Sequence, residues 1–213
     1  MKQFVVLGGG KFGLSLAKKL VDLGAEVMLV DKNYDIISKS ADKVTTAVQA
    51  DVTDEKALLN LGIRNFDVAI VAIGDNIQSS ILVTLMLKEF GIKKILAKAE
   101  NEMHAKVLYK IGADRVIFPE TEMGIRVAKN LMSNGIMDTL ELSPEYSILE
   151  IKAPKEWVGK SILEINPRKK YGLNIIAIKK DIDIHVNINP NELILSPDIL
   201  VIAGKNEDLD KII

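Results

Sequence analysis

The 213-residue chain predicts an α/β fold: a doubly wound parallel sheet followed by a small α+β C-terminal domain. Three observations carry this. Short apolar runs alternate with amphipathic helical stretches through residues 1–135. A glycine-rich turn joins the first run to the first helix. Beyond residue 139 the pattern changes to strict alternation of apolar and polar residues, the mark of an antiparallel sheet with one wet face. The expected domains are therefore 1–135 and 139–213.

The apolar runs fall at residues 4–7, 27–30, 45–48, 68–73, 95–97 and 116–118. They are continuous rather than alternating, as suits parallel strands buried on both faces. Leu16, Leu20 and Leu23 recur at helical spacing, and Gly24 follows as a helix end. Leu58, Leu59 and Leu61 precede Gly62 in the same way, and Leu82, Leu85 and Phe90 precede Gly91. Strands and helices at this spacing read as βαβ units. After the last run, Pro119 precedes a helical stretch over 120–132 that ends at Ser133-Asn134-Gly135.

In the C-terminal part, residues 173–178 and 199–203 read as strands. Ile182, Ile184, Val186 and Ile188 alternate with Asp183, His185, Asn187 and Asn189, which predicts a half-buried antiparallel strand. Asn166-Pro167, Asn189-Pro190 and Ser196-Pro197 mark turns. A piece of about 75 residues is small for stability alone, so dimerisation through it is expected. The helix over 77–90 is apolar on more than one face. Its apolar residues are Ile77, Ile81, Leu82, Val83, Leu85, Met86 and Leu87; one stripe can pack on the sheet, and the remainder needs another partner.

Composition bounds the function. The run at 68–73, the longest in the first half, is far short of the roughly 20 apolar residues of a membrane span. The N-terminus, Met1-Lys2-Gln3 and then a strand, lacks the apolar core of a signal peptide. A cytosolic protein is expected. The chain has no cysteine, which excludes disulfides, thiolate metal sites and a thiol nucleophile. Its net charge is −1, with lysine and glutamate spread along the chain, so no footprint for nucleic acid is visible.

Gly8-Gly9-Gly10-Lys11-Phe12-Gly13 fits G-x-G-x-x-G between a predicted strand and a predicted helix. In a Rossmann-type fold the first glycine makes the tight turn, the second admits a diphosphate, and the third lets helix and strand pack closely. The helix start then offers free N–H groups to phosphate. Asp31 ends the second strand, where a carboxylate can accept from ribose hydroxyls, and it disfavours a 2′-phosphate. Asp51 ends the third strand. Two readings stand for it: an acceptor for an adenine amino group, or a loop residue beside a helix capped by Thr53 or Asp54. Ile73-Gly74-Asp75-Asn76 ends the fourth strand, where a ligand also passes.

A catalyst is not apparent. His185 falls on the polar face of the alternating strand, and His104 lies in a polar helical segment with no second ligand at helical spacing. Neither a nucleophile elbow nor a zinc-protease motif occurs. Gly159-Lys160-Ser161 is like the end of a Walker A loop, but Pro154 stands where its first glycine should be. No domain is large enough to close over a nicotinamide. A binder is therefore expected rather than an enzyme. The rival reading is an NAD(H)-responsive sensor or a small NAD-dependent oxidoreductase, because the motif suits a dinucleotide equally well.

The glycine loop, Asp31, Gly62-Ile63-Arg64-Asn65-Phe66-Asp67 and Val71-Ala72-Ile73-Gly74 resemble the RCK (KTN) domain of Ktr/Trk-type potassium-uptake regulators. The likeness continues through Lys110-Ile111-Gly112-Ala113-Asp114-Arg115, Pro119-Glu120 and Met123-Gly124. It then covers the smaller RCK C-terminal domain at Glu145-Tyr146-Ser147-Ile148, Lys170-Tyr171-Gly172 and Ile176-Ala177-Ile178-Lys179. A single such unit matches the Ktr branch (KtrA-like) better than the tandem Trk one.

The resemblance implies homodimers assembled into an octameric ring on the inner face of a membrane-embedded potassium-translocating subunit. ATP would favour the open pore and ADP the closed one. By the same resemblance Gly8, Gly9, Gly10, Lys11, Phe12, Gly13 and Asp31 bind phosphates and ribose. Lys32, Asp51, Val52, Ile73, Gly74 and Lys98 line the rest of the nucleotide site. Glu120 would help hold Mg2+, Ca2+ or Na+ between phosphates of paired subunits. The family usually has arginine in the glycine loop, and Lys11 stands there instead. Lysine keeps the charge but not the planar fork, so γ-phosphate sensing across subunits loses its bidentate contact. A second ligand, cyclic di-AMP, is implied at the C-terminal dimer interface. There Ile162, Ile165, Ile175 and Ile176 would cover adenine faces, Arg168 would pair with phosphate, and Asn174 would meet a base edge.

Overall fold

A strand buried on both faces must be apolar at every position, and in the first part of the chain the apolar runs do form such strands. In the computed structural model, which describes residues 2–74, 76–132, 136–181 and 183–212, the strands are β1 (Gln3–Leu7), β2 (Glu26–Asp31), β3 (Thr46–Gln49), β4 (Val68–Val71), β5 (Ile95–Lys98) and β6 (Arg115–Ile117). They pair in parallel in the order β3-β2-β1-β4-β5-β6. The order reverses between β1 and β4, which opens a crevice at their carboxyl ends.

Helices α1 (Lys11–Asp22), α2 (Tyr34–Ser38), α3 (Glu55–Asn60), α4 (Ile77–Glu89) and α5 (Glu102–Lys110) lie in the connections. The apolar residues divide between two clusters. Val5, Leu7, Leu58, Leu87, Ile95 and Leu108 belong to one; Val6, Ala17, Leu29 and Ile37 belong to the other. Neighbours on β1 thus serve opposite faces, as the two-residue period of a strand requires.

α4 shows how one helix divides its apolar residues. Val83 and Leu87 are fully buried, and Met86 is nearly so. Ile77, Leu82 and Leu85 are exposed, Leu82 to 43 %. Leu23, expected on the buried stripe of α1, is exposed because it sits at the C-cap, just before the left-handed turn at Gly24. Leu59 is exposed as well, on the outer face of the two-turn α3.

Contacts divide the chain into two units, Met1–Thr121 and Glu122–Ile213. Helix α6 (Pro119–Met132) starts at the end of the first and continues into the second. The expected helix-end signal Ser133-Asn134-Gly135 lies outside the described residues. Immediately after it comes β7 (Ile136–Glu141), so the stretch expected to separate two domains contains a strand of the second sheet.

The second unit continues with β8 (Tyr146–Lys152), α7 (Ile162–Ile165), α8 (Pro167–Tyr171), β9 (Asn174–Lys180), β10 (Asp183–His185), β11 (Ile199–Lys205) and α9 (Asn206–Leu209). Its strands pair antiparallel in the order β10-β9-β11-β8-β7. Leu149, Ile151, Trp157, Leu173, Ile178, Leu200 and Ile202 form its core. The alternating segment expected to be half buried becomes the short edge strand β10, where Ile184 is exposed, as is Val186 just beyond it. An edge strand has one neighbour only, and among the described residues no strand pairs with the outer side of β10; Ile182 lies outside the described residues. His185 is exposed, as its polar-face position predicts.

Leu87→Ala should cost about 2–5 kcal/mol, because it empties a closed part of the core. Leu82→Ala should change stability by no more than about 0.5 kcal/mol. Urea unfolding of dilute protein, with light scattering to establish that it is monomeric, measures both. Equal losses would contradict the division of α4 into a buried and a free face.

Candidate functional site

The crevice at the carboxyl ends of β1 and β4 holds a cleft of about 290 Å³. The loop after β1 shapes it. Gly8 has φ +108°, a conformation that suits glycine, and its N–H donates to the Val30 carbonyl at 2.8 Å. A Cβ on Gly8 would stand 2.8 Å from the Ala72 carbonyl oxygen, and one on Gly13 would collide with the Gly8 carbonyl. Only glycines let α1 begin so close to β1 and β4.

The start of α1 differs from those of its neighbours. Asn33, Asp54, Asn76 and Asn101 cap α2, α3, α4 and α5 with side-chain oxygens, whereas Gly10 at the start of α1 supplies none. The N–H groups of a first helical turn have no partner within the helix, so this end keeps donors for a ligand, and a positive dipole end. Gly10 lines the cleft, and nothing stands within 4 Å of where its Cβ would be. Lys11 is exposed, and Phe12 packs on the cluster around Val6 and Ala17; neither lines the cleft.

Asp31 faces the loop from the end of β2. Its Oδ2 accepts from the Gly9 N–H at 2.7 Å, and its Oδ1 from the Asn33 N–H at 2.8 Å. A carboxylate has about four acceptor positions, so each oxygen retains capacity for a hydroxyl. Asp31 and Lys32 both line the cleft.

Asp51 and Val52 line it too. The structure supports the loop-and-cap reading of the acid. Asp54 caps α3 by accepting from the Lys56 N–H at 2.9 Å. Asp51 closes a turn, its Oδ1 accepting from the Thr53 hydroxyl at 2.7 Å and the Thr53 N–H at 2.9 Å. These two bonds hold its carboxyl below the ordinary range for aspartate. Ile73 and Gly74 complete the wall, while Asp75 lies outside the described residues.

Lys98 stands beside this wall. A Cβ on Gly74 would lie 3.1 Å from its Nζ. Its ammonium donates to Glu120 Oε1 at 2.6 Å, which holds the Glu120 carboxyl below its ordinary range. Among the described residues, no group of three or more acidic or histidine side chains is arranged for a metal ion.

Sequence reasoning passed over Asn33, Ile36 and Ser79 among the cleft residues, and read Thr53 only as a helix cap. Asn33 had a readable signal, since, like Asn76, it follows a strand and caps the next helix. Ile36 had none, because the five-residue α2 is too short to show a period.

In the second unit Arg168 Nε donates to Asn174 Oδ1 at 2.9 Å, and both residues are exposed. Ile165 is buried in the core, and Ile162 and Ile175 pack against it. Ile176 is exposed.

His104, in the helical segment whose neighbours are polar, turns inward. It is only 3 % exposed; its Nδ1 accepts from the Glu100 N–H at 3.3 Å, and its Nε2 has no hydrogen-bond partner among the described residues. Asn101 and Glu102 are polar because they start a helix, not because the whole turn is wet. Burial pushes its pKa down against an opposing effect of Glu100.

Two domain families match the chain: the TrkA-N domain over residues 4–119 and the TrkA-C domain over residues 146–213. The chain is 47 % identical over 210 residues to Ktr system potassium uptake protein C of Bacillus subtilis, covering 99 % of this chain and 95 % of that protein. Among solved structures, the GsuK RCK domain aligns with a TM-score of 0.68 at 20 % identity, over 98 % of this chain and 46 % of that one. GsuK bound to ADP aligns with a TM-score of 0.54 at 25 % identity, over 62 % of this chain and 34 % of that one. The chain thus spans less than half the length of these two structures.

The histidine generates a prediction. Its folded pKa lies below the unfolded value of about 6.5, so the unfolded chain binds the proton more readily. The stability this neutral imidazole contributes is fully present above that value and is lost as pH falls below it. Thermal midpoints should therefore drop between about pH 7 and 5, and His104→Gln should flatten that slope. Identical slopes in both proteins would contradict it. The lowered carboxyls of Asp51 and Glu120 act only at lower pH.

Proposed function

The chain belongs to the TrkA-domain family of Ktr system potassium uptake proteins, and from that premise we propose that it is the nucleotide-sensing regulatory subunit of a potassium-uptake system, with no catalytic role. The observation that carries the ligand class is the cleft. An uncapped helix start lies at one end of it, and strand-end carboxylates supply acceptors for ribose and base. The likeness to GsuK bound to ADP supports an adenine nucleotide.

In this reading Gly8, Gly9, Gly10 and Gly13 let the phosphates approach the loop closely, the free N–H groups of the first turn of α1 donate to them, and Asp31 accepts from the ribose. Lys32, Asp51, Val52, Ile73 and Gly74 surround the base and sugar. Lys11, exposed at the first residue of α1, reaches the terminal phosphates of ATP or ADP. Lys98 reaches the same end once it leaves Glu120. The cation that resemblance assigns to Glu120 (Mg2+, Ca2+ or Na+) fits this chain poorly. Glu120 supplies a single carboxylate, and Lys98 already holds it. NAD(H) remains the rival ligand, because Asp31 suits the ribose of a dinucleotide equally well.

The partner in this proposal is a membrane-embedded potassium-translocating subunit. The protein would be cytoplasmic and peripheral on the membrane's inner face, as homodimers in an octameric ring. No described helix is long and apolar enough to cross a membrane, so the pore belongs to the partner. The free face of α4 offers one assembly surface. The proposed functional domains, 1–135 and 139–213, divide the chain later than the contact-based units Met1–Thr121 and Glu122–Ile213 do. Cyclic di-AMP is the proposed ligand of the second. There Arg168, Asn174 and Ile176 are exposed, whereas Ile162, Ile165 and Ile175 give most of their surface to the core.

Calorimetry with ATP, ADP, NADH and NAD tests the ligand class. Asp31→Ala should weaken ATP and ADP together by roughly ten-fold or more, since it removes charge-assisted bonds; unchanged affinities would sink the assignment. Lys11→Ala should narrow the ATP/ADP affinity ratio, and equal losses would place Lys11 on the shared phosphates. Arg168→Ala should abolish binding of cyclic di-AMP, and retained binding would remove that site.

A further inference from the structure

The second unit carries a groove of about 490 Å³, formed where β8 ends, by the turn over 153–157, Tyr171 of α8, and the residues after α9. Its floor is apolar. Ile151 and Trp157 are both only 3 % exposed, and the Trp157 and Tyr171 rings meet with centroids 5.8 Å apart at a tilt of 42°. Around the floor stand three ammonium groups, Lys152, Lys155 and Lys211, against one carboxylate, Glu156.

Lys211 is held by Asp208 at 2.6 Å. The side chains of Lys152 and Lys155 have no hydrogen-bond or ion-pair partner among the described residues, and neither has the Trp157 indole N–H. Lysine and the indole N–H can only donate. The groove therefore presents unused donors above an apolar floor, and its volume falls within the roughly 300–1,000 Å³ of small-molecule sites. None of these residues belongs to the nucleotide cleft or to the group around Arg168.

The geometry points to a binding site for a small organic anion. Lys152 and Lys155 hold a phosphate or carboxylate group, and its flat or aliphatic body lies on the floor of Ile151, Trp157 and Tyr171. The two lysines supply charge-assisted bonds, and the floor discriminates against bare inorganic ions.

Trp157 is the only tryptophan of the chain, so its emission reports on this groove alone. The full-length protein is titrated with phenyl phosphate, benzoate, inorganic phosphate and benzyl alcohol. A saturable emission change with phenyl phosphate or benzoate supports the site, and the tighter of the two identifies the anion. Inorganic phosphate should bind at least ten-fold more weakly, and benzyl alcohol should give no saturable change. The double variant Lys152→Gln/Lys155→Gln changes only exposed side chains. It should keep its thermal midpoint and lose ten-fold or more in affinity. The proposal is overturned if neither aromatic anion saturates at millimolar concentration. It is overturned equally if benzyl alcohol or inorganic phosphate matches them, or if the double variant binds like the parent.

Discussion

Gly13 rests against the carbonyl of Gly8, and Gly8 itself lies against the backbone at Ala72. This contact of main chain with main chain sets the position of α1, and most of the cleft follows from it. With the helix drawn in, its first turn faces the gap between β1 and β4. The Gly9 N–H then reaches Asp31 at the end of β2. One carboxylate joins the loop after β1 to the strand beside it, and through Asn33 to the start of α2. A methyl group at Gly8 or Gly13 would push the helix outward and separate these partners together, so the loop and its acid form one unit rather than a list of ligands.

The acid end of the cleft at Asp51 and the open first turn of α1 differ in charge, while the Lys98–Glu120 pair stands beside the wall at Gly74. Asp51 is kept ionised by Thr53, and Glu120 by Lys98. Phosphates placed against these acids would meet like charge, whereas the open first turn of α1 offers donors and a positive dipole end. In the proposed reading a nucleotide lies with its phosphates toward α1 and its base toward Asp51. Lys98 is already neutralised by Glu120, so drawing it to a phosphate means breaking an ion pair first.

The first unit was legible in the sequence because its inner strands β1, β2, β4 and β5 carry largely unbroken apolar runs. Val5 and Val6 serve different clusters, and the run through β1 reads as unbroken apolar sequence. Asp31 was legible for a related reason, as the acid that ends the strand after a glycine-rich turn. The second unit hid more. In β8 the inward residues are Ser147, Leu149 and Ile151, while Tyr146 and Ile148 face the other way. A polar residue inside and apolar ones outside erase the alternation that would have marked the strand. The clearest alternation, over 182–189, belongs instead to a sheet edge, where pattern alone does not ensure a cover. His104 is the same lesson in a helix: capping chemistry made its neighbours polar, and packing that no local pattern encodes buried the imidazole.

Strand order in the two sheets also bears on how the chain comes together during synthesis. In the first sheet, β1 is an inner strand made before all the others, and each half of the sheet grows outward from it as the chain emerges. In the second, the middle strand is β11, made after every other strand of its sheet. Until it arrives, the pair β7-β8 and the pair β9-β10 have no strand between them, and Leu149, Ile151 and Ile178 lack Leu200 and Ile202 from their core. A ribosome therefore presents a closed first sheet while the second is still open. Such transiently bare strand edges are where nascent chains recruit chaperones or stick to one another.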